Sequence, residues 1–316
     1  MKESQRLHRI GKDRIVLAAD SQALHAFESC HKKYWLGQAE HLVPIRSKKA
    51  YEIGSMVHDI MHRIIRAKLR RPGKFTNLHL LKIGYKRIDQ ARKVGLFADK
   101  KSKKQETRDK NEQETYLFHV TRFTQFMAWL DKQDRFYKPL GAEVGFSKVL
   151  YENNDVLFVY EGRVDLVLRV EPAGFRTWAD YKTQSREYQL YQNRNQFLGY
   201  SWALDTSIGY IIYYGLQQDK EDTKLKADTV FKYHPIYHNR DLVKQWQADT
   251  IRQFHKIVSL APFGEKEFER NRAACDAGKF GLCPYTVLCD NAWAPPAVQK
   301  GLRRIYFKES EWTPWK

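Results

Sequence analysis

Between residues 142 and 183 the chain changes its period, and this stretch limits the fold more than any other. Ala142 to Tyr151, Val156 to Tyr160, Arg163 to Val170 and Thr177 to Thr183 are short runs rich in β-branched and aromatic residues. Glu152-Asn153-Asn154-Asp155, Gly162 and Pro172-Ala173-Gly174 separate them as turn signals. Helical periodicity dominates before this stretch. Ser21 to Leu36 reads as a helix that Asp20 or Ser21 can cap and Gly37 can end, with Leu24, Phe27 and Tyr34 near one face. Tyr51 to Arg70 reads as a second helix, with Ile53, Val57, Ile60, Met61, Ile64 and Ile65 as its apolar stripe and Pro72-Gly73 as its stop. Residues 75–98 are predicted helical, and the wholly polar run Asp99 to Glu114 is predicted to be a solvated loop. From Thr115 the helical pattern returns through Phe118, Phe123, Phe126, Met127 and Leu130. After the strand group come a helix over Leu190 to Leu204, a strand over Ile208 to Leu216, a charged loop over Gln217 to Asp228, a strand over Thr229 to His238 and a helix over Asp241 to Leu260. Helices, antiparallel strands, one helix and further strands imply an α/β fold with a mixed central sheet flanked by helices.

At 316 residues the chain is long enough for a full core, and its 42% apolar share marks a folding chain. Lys and Arg number 55 against 37 acidic residues, a net charge of +18. That excess costs self-repulsion, so a polyanionic partner explains it better than a bland basic surface, with nucleic acid ahead of an anionic membrane. No apolar run has the length of a membrane span, and Met1 to Arg14 has no apolar core of the kind that directs export. A cytoplasmic, intracellular location is therefore expected. The four cysteines, Cys30, Cys275, Cys283 and Cys289, are too few for a disulfide scaffold. Buried structural thiols or a metal site remain.

The hairpin around Pro172 carries the chemistry. If Glu171 to Gly174 form its loop, the numbers of facing residues have a constant sum and Asp165 faces Asp180. Directly opposed residues lie about 5 Å apart on one face of a sheet. Lys182, two residues beyond Asp180, shares that face. Two opposed carboxylates repel, and a divalent metal such as Mg²⁺, which takes carboxylate, phosphate and water oxygens, removes the conflict. Such a metal polarises a phosphate and acidifies a bound water, and a lysine beside it can orient that water and stabilise developing charge. The plain alternative is a surface strand with a weak Asp–Lys pair. Gln196 and Tyr200 are spaced i, i+4 on the following helix, where they can bond a phosphate or hold Lys182. A buried Tyr and a solvated Gln would give the same letters.

These residues bring a family into view. G-R-V-D-L-V (Gly162 to Val167), D-Y-K-T (Asp180 to Thr183) and Q-F-L-G-Y (Gln196 to Tyr200) resemble successive motifs of the PD-(D/E)XK nucleases, in their RecB-like branch. The branch also carries a G-x-x-x-H helix, which Gly54-Ser55-Met56-Val57-His58 resembles. The resemblance implies a restriction-endonuclease-like core, with His58, Asp165 and Asp180 as ligands of Mg²⁺ or Mn²⁺. It implies that Asp165, Asp180, Lys182, Gln196 and Tyr200 form the catalytic set, with Glu143 of A-E-V-G-F at the acidic position that often precedes the second motif.

The likeness extends to the cysteines. Iron–sulfur members of the branch, among them AddB-type helicase-nuclease ends and CRISPR-adaptation nucleases, place one cysteine in an early helix and three near the C-terminus. Cys30-His31-Lys32-Lys33-Tyr34 and Cys283 to Cys289 are similar to that plan, and four thiolates suffice for a [4Fe–4S] cluster. Cys275 departs from it: seven residues separate it from Cys283 where the family commonly has two, although Gly278 and Gly281 let the loop fold back. Zinc would use the same four sulfurs. The implied cluster joins the N- and C-terminal helical parts.

The organisation expected is a basic arm over residues 1–19, a nuclease domain over 20–290 with a helical region 50–136 and a cysteine segment 271–290, and a tail over 291–316. The activity implied is metal-dependent DNA hydrolysis, as an exonuclease on duplex ends or single strands. A structure-specific or restriction-like endonuclease and a non-cutting nucleic-acid-binding subunit are the alternatives. DNA is the implied partner, with protein partners in a recombination or repair complex and no membrane.

Overall fold

The computed structural model describes residues 7–10, 14–45, 49–74, 76–98, 105–183, 194–215, 230–275 and 282–310. The sequence-predicted loop over Gln217 to Asp228 lies outside them, as do residues 99–104, 190–193, 276–281 and 311–316 of other expected segments.

A seven-stranded mixed sheet forms the centre. Its spine is β5 (Val156–Val170), which pairs along its whole length with antiparallel β4 (Tyr137–Glu152). The other edge of β5 is shared. Its first half pairs in parallel with β2 (Arg14–Ala19), and its second half pairs antiparallel with β6 (Phe175–Lys182). Parallel β7 (Ile208–Tyr214) and antiparallel β8 (Phe231–Tyr237) continue from β6, and β1 (Leu7–Ile10) pairs with β2. The β6–β7 connection passes through helix α6 (Asn195–Leu204).

Both faces are covered, because β5, β6 and β7 alternate apolar residues to two sides. On one side Leu166, Leu168, Ala179, Tyr181, Ile212 and Tyr214 pack against α3 (Lys49–Arg70), α4 (Asn77–Lys93) and α5 (Gln105–Gln133). On the other side Val167, Trp178, Ile211 and Tyr213 meet Phe197 and Tyr200 of α6. There too, Phe158 and Tyr160 of β5 meet α1 (Ser21–Ser29) and the long helix Arg240–Leu260. The expected α/β fold with helices flanking a mixed sheet is what the chain forms.

Four local readings change. The helix expected over Ser21 to Leu36 breaks at Cys30, whose backbone is extended (φ −167°, ψ 116°), and resumes as α2 (His31–Tyr34) and a wide turn over Trp35–Ala39. The break turns the Cys30 sulfur toward Asn271, whose N–H donates to it over 3.3 Å. Asp20 caps the first segment, accepting from Ala23 N over 2.7 Å. Residues 105–114, expected in a loop, are the first turns of α5. Glu, Lys, Gln and Arg form helix well without an apolar stripe, and Arg92 of α4 pairs with Glu112 to hold the segment down. Gly162 is not a turn but lies inside β5, opposite Phe146, whose ring a Cβ would meet at 2.5 Å. Finally, strands β1 and β2 occupy the N-terminal region, where the sequence suggested no element.

The C-terminal part returns to the N-terminal part. β9 (Phe307–Glu309) pairs antiparallel with β3 (Leu42–Pro44), and the Tyr285 hydroxyl donates to the Leu42 carbonyl over 2.7 Å. Leu36, Leu42, Tyr285, Leu288 and Phe307 close a small core there.

Candidate metal centre and active site

The β5–β6 hairpin turns through Glu171 to Gly174, and its pairs run from Val170↔Phe175 to Leu166↔Ala179. Continuing that register by one step sets Asp165 opposite Asp180. On the far side of β5, the pairs Ala142↔Leu166 and Val144↔Val164 bracket Glu143 opposite Asp165. Glu143, Asp165 and Asp180 thus form a row of carboxylates across three adjacent strands. Glu143 sits at an irregular point of its strand, with φ +52°.

The ladder opens at this row. The Tyr181 N–H donates to Asp165 Oδ2 over 3.0 Å in place of a backbone carbonyl. His58, presented by α3, enters the same gap. Its Nε2 donates to the Tyr181 carbonyl over 3.0 Å, and its Nδ1 lies 3.2 Å from Asp165 Oδ2.

Asp180 is 1% exposed. Its Oδ1 accepts from Gln196 Nε2 over 2.9 Å, and its Oδ2 lies 2.5 Å from Lys182 Nζ. The second contact is an ion pair by distance but poorly aligned as a hydrogen bond. Lys182 also rests 5.4 Å from the centre of the Phe197 ring. Gln196 further donates to the Tyr200 hydroxyl over 2.9 Å, and that hydroxyl donates to the Arg163 carbonyl over 2.6 Å. The sequence suggested that Gln196 and Tyr200 bond a phosphate or hold Lys182, or that Tyr200 is simply buried; of these, the structure shows the buried Tyr, and Lys182 is not their partner. Instead Gln196 holds Asp180, and Tyr200 is buried and anchors α6 to β5.

The titration of these groups follows from their crowding. For His58, burial is the largest influence and lowers the pKa, but the Asp165 charge and hydrogen bond, with Asp180, outweigh it and raise the value to about 9. Burial first and the Asp165 charge second push Asp180 up to about 6. Burial would raise Asp165 too, yet the His58 pair, Lys182 and the Tyr181 N–H bring it below its ordinary value. Burial, then Asp165, raises Glu143, against the pull of Arg163, whose Nε is 2.8 Å from Glu143 Oε2.

The donor set fits a divalent cation. One ligand atom each from His58, Glu143 and Asp165 lie within 4.8 Å of one another. A ligating histidine characteristically donates its second ring N–H to a carbonyl or carboxylate, as His58 does to Tyr181. The raised Asp180 and Glu143 are what carboxylates crowded without a cation would show. Sequence reasoning singled out each of these except Arg163, which it quoted only as a letter of the G-R-V-D motif. Its signal was the spacing of two from Asp165, which puts both on one face of β5.

The His58–Asp165 pair also makes stability depend on pH. His58 carries a folded pKa of about 9 against 6.5, so its contribution is complete below about pH 6.5 and is lost as pH rises through about 9. In a chelator, the protein is expected to melt at a lower temperature at pH 9.5 than at pH 6.5, with that difference reduced in His58→Gln. Equal pH dependence in the two proteins, by scanning calorimetry, would contradict the pairing.

Cys283, Cys275 and Cys30 lie in electrostatic reach of Cys289, although among the described residues no three of these sulfurs lie within 4.8 Å of one another. Cys30 and Cys275 are buried, and Cys283 and Cys289 half-buried. Cys283 N donates to the Cys275 carbonyl over 3.0 Å, so the longer spacing noted at Cys275 is closed by a backbone bond. Burial pushes the Cys289 thiol up to about 11, Arg270 opposes the shift, and Cys283, Cys275 and Cys30 add to it. Arg270 Nε donates to Cys275 Sγ over 3.2 Å. Cys30 and Cys275 each accept an N–H···S bond.

A histidine, carboxylates and a lysine thus meet where the β5–β6 ladder ends in a mixed α/β sheet. Residues 21–290 match the family model described as the PD-(D/E)XK nuclease superfamily, and the chain belongs to that superfamily. Membership makes it a nuclease of a metal-dependent class whose substrate is DNA. No curated protein matches the chain. Among solved structures, one described as the crystal structure of SSO0001 is 11% identical, with a TM-score of 0.26, over 62% of this chain and 85% of that chain. Among the described residues no helix is long and apolar enough to cross a membrane.

Proposed function

We propose that the protein is an exonuclease that hydrolyses DNA from duplex ends or single strands with Mg²⁺ or Mn²⁺, and that its four cysteines hold a structural [4Fe–4S] cluster. The observation that carries the hydrolytic reading is the convergence of Asp165, Asp180 and Lys182 at the open end of the β5–β6 ladder, with His58 inserted beside them. His58, Glu143, Asp165 and Asp180 would hold the divalent ion. When bound, that ion supplies polarisation of the scissile phosphate and acidification of a water.

The chain's own residues do the rest. The Tyr181 carbonyl fixes the His58 ring so that Nδ1 faces the ligand position. Gln196 fixes the rotation of the Asp180 carboxylate, and Tyr200 ties that helix face to the Arg163 carbonyl, so the site cannot drift from the sheet. Lys182, held against the Phe197 ring and 23% exposed, presents its ammonium at the edge of the site. There it can orient the attacking water and neutralise charge building on the phosphate.

Cys30, Cys275, Cys283 and Cys289 would hold the cluster, joining the break after α1 to the segment that packs on Leu36 and Leu42. The motif order supports iron–sulfur, with zinc as the alternative ion for the same sulfurs. The net charge of +18 supports DNA as partner, and a recombination, repair, replication or DNA-processing complex inside the cell is the setting proposed.

Anaerobically purified protein is expected to degrade end-labelled linear DNA with Mn²⁺ and to leave covalently closed circular DNA intact, and the same sample is expected to show the visible absorption of an iron–sulfur cluster. Cutting of closed circles would instead establish an endonuclease. Protein inert on every DNA form would revive the non-cutting binding subunit.

A further inference from the structure

Arg163 precedes Asp165 by two residues on β5 and therefore projects from the same face. Its guanidinium lies 2.8 Å from Glu143, with side-chain exposures of 31% and 20% for the two, so the pair borders solvent. Glu143 is at the same time one of the three groups whose ligand atoms cluster within 4.8 Å. One carboxylate is thus addressed by a guanidinium from one side and by the cation position from the other.

The backbones leave the side chains to resolve this. Glu143 sits at φ +52° between two paired residues of β4, and the Arg163 carbonyl is bonded by Tyr200 while its strand pairs with Gly145. A divalent cation on Glu143 attracts the carboxylate more strongly than a guanidinium does and repels that guanidinium. A guanidinium so displaced would remain on the face it shares with the reacting residues. His62 on α3 lies in electrostatic reach of Arg163, Arg66 and Arg63, and of Asp59, which pairs with Arg63. A guanidinium in such a place matches the bidentate geometry of a phosphodiester.

We propose that Arg163 is a phosphate-binding residue for the DNA substrate, docked on Glu143 until a divalent cation takes that carboxylate, so that cation binding arms the site for DNA. The inference rests on the nuclease reading above. It makes Glu143 a shared ligand and sets an order of events, cation first and DNA second.

The test uses Arg163→Ala, Arg163→Lys and Glu143→Gln, each in the full chain carrying Lys182→Ala so that DNA survives in Mn²⁺. Mn²⁺ affinity is read by calorimetry without DNA, and DNA affinity by fluorescence anisotropy in Mn²⁺ and in chelator. For Arg163→Ala, Mn²⁺ should bind about threefold tighter, because a competing cation is gone, while DNA in Mn²⁺ should bind roughly tenfold weaker. The slope of log affinity against log salt should fall by about one. Arg163→Lys should keep the slope and lose part of the affinity. Glu143→Gln should bind Mn²⁺ at least about tenfold more weakly and bind DNA in chelator several-fold more tightly.

Opposite signs of this kind do not arise from a loosened site. If Arg163→Ala weakens Mn²⁺ and DNA together, or leaves DNA affinity and its salt slope unchanged, the coupling is wrong and the nuclease reading stands. A parent protein that binds neither Mn²⁺ nor DNA overturns both.

Discussion

Asp180→Ala is expected to lower DNA cleavage by about a thousandfold or more while leaving DNA affinity within a few-fold of the parent; losses of about this size follow removal of a group that acts on charge in the transition state. The residue is 1% exposed and does three things at once. It would offer a ligand oxygen to the proposed cation, it receives the Gln196 amide over 2.9 Å, and it holds Lys182 Nζ at 2.5 Å. Removing it takes one carboxylate from the cation and releases the lysine from its place beside the phosphate. The fold should survive, because burial, and after it the Asp165 charge, raises the Asp180 pKa to about 6, and removing the carboxylate removes both costs. DNA affinity should survive because it is spread over a surface of net charge +18. Binding by anisotropy and a melting temperature no lower than the parent's would separate lost chemistry from lost structure.

Trp178→Ala is expected to cost about 3–5 kcal/mol of stability, the range for truncating a large buried aromatic. Trp178 is fully buried, stacks on Phe197 with ring centres 5.2 Å apart, and donates its indole N–H to Ser201 Oγ over 2.9 Å. Ser201 Oγ in turn lies 2.7 Å from His238 Nδ1, so three elements meet in one buried chain of polar contacts. Gly209 is required beside them: a Cβ there would fall 2.0 Å from the indole. Truncation leaves a cavity under α6 and removes the indole donor of the Ser201 hydroxyl, which keeps only His238. Since α6 carries Gln196, cleavage at a temperature where the variant remains folded should fall as well. A cost below about 1 kcal/mol by denaturant titration would show that this contact does not brace the site.

What could be read from the sequence depended on how local each determinant is. The β5–β6 hairpin was legible because Pro172-Ala173-Gly174 names a turn and alternating residues on both sides fix its register. From that register alone Asp165, Asp180 and Lys182 could be set on one face. β2 was not legible, because its partner is β5, with Ile15 paired in parallel to Val156, and no nearby turn announces it. The first turns of α5 were missed because the segment carries no apolar stripe, and only intrinsic propensity and the Arg92–Glu112 pair speak for helix. Gly162 was misread as punctuation because a glycine needed for the approach of the Phe146 ring looks the same in sequence as one needed for a turn. Within the site, spacing placed Gln196 and Tyr200 on one face, but their partners, Asp180 and the Arg163 carbonyl, depend on how α6 docks, which no spacing encodes. The Arg163–Glu143 pair joins two strands at an irregular residue, so its register could not be counted from a turn.

The deciding measurement is a single-turnover digestion of end-labelled linear DNA by the parent and by Asp180→Ala, side by side, with Mn²⁺ and with chelator. Cleavage by the parent in Mn²⁺ alone, absent in chelator and absent in the variant that still binds DNA, is the result expected of a cation held among Asp165, Asp180 and His58. Equal cleavage by both proteins, or cleavage undiminished by chelator, would mean that these side chains are not where the phosphodiester is broken.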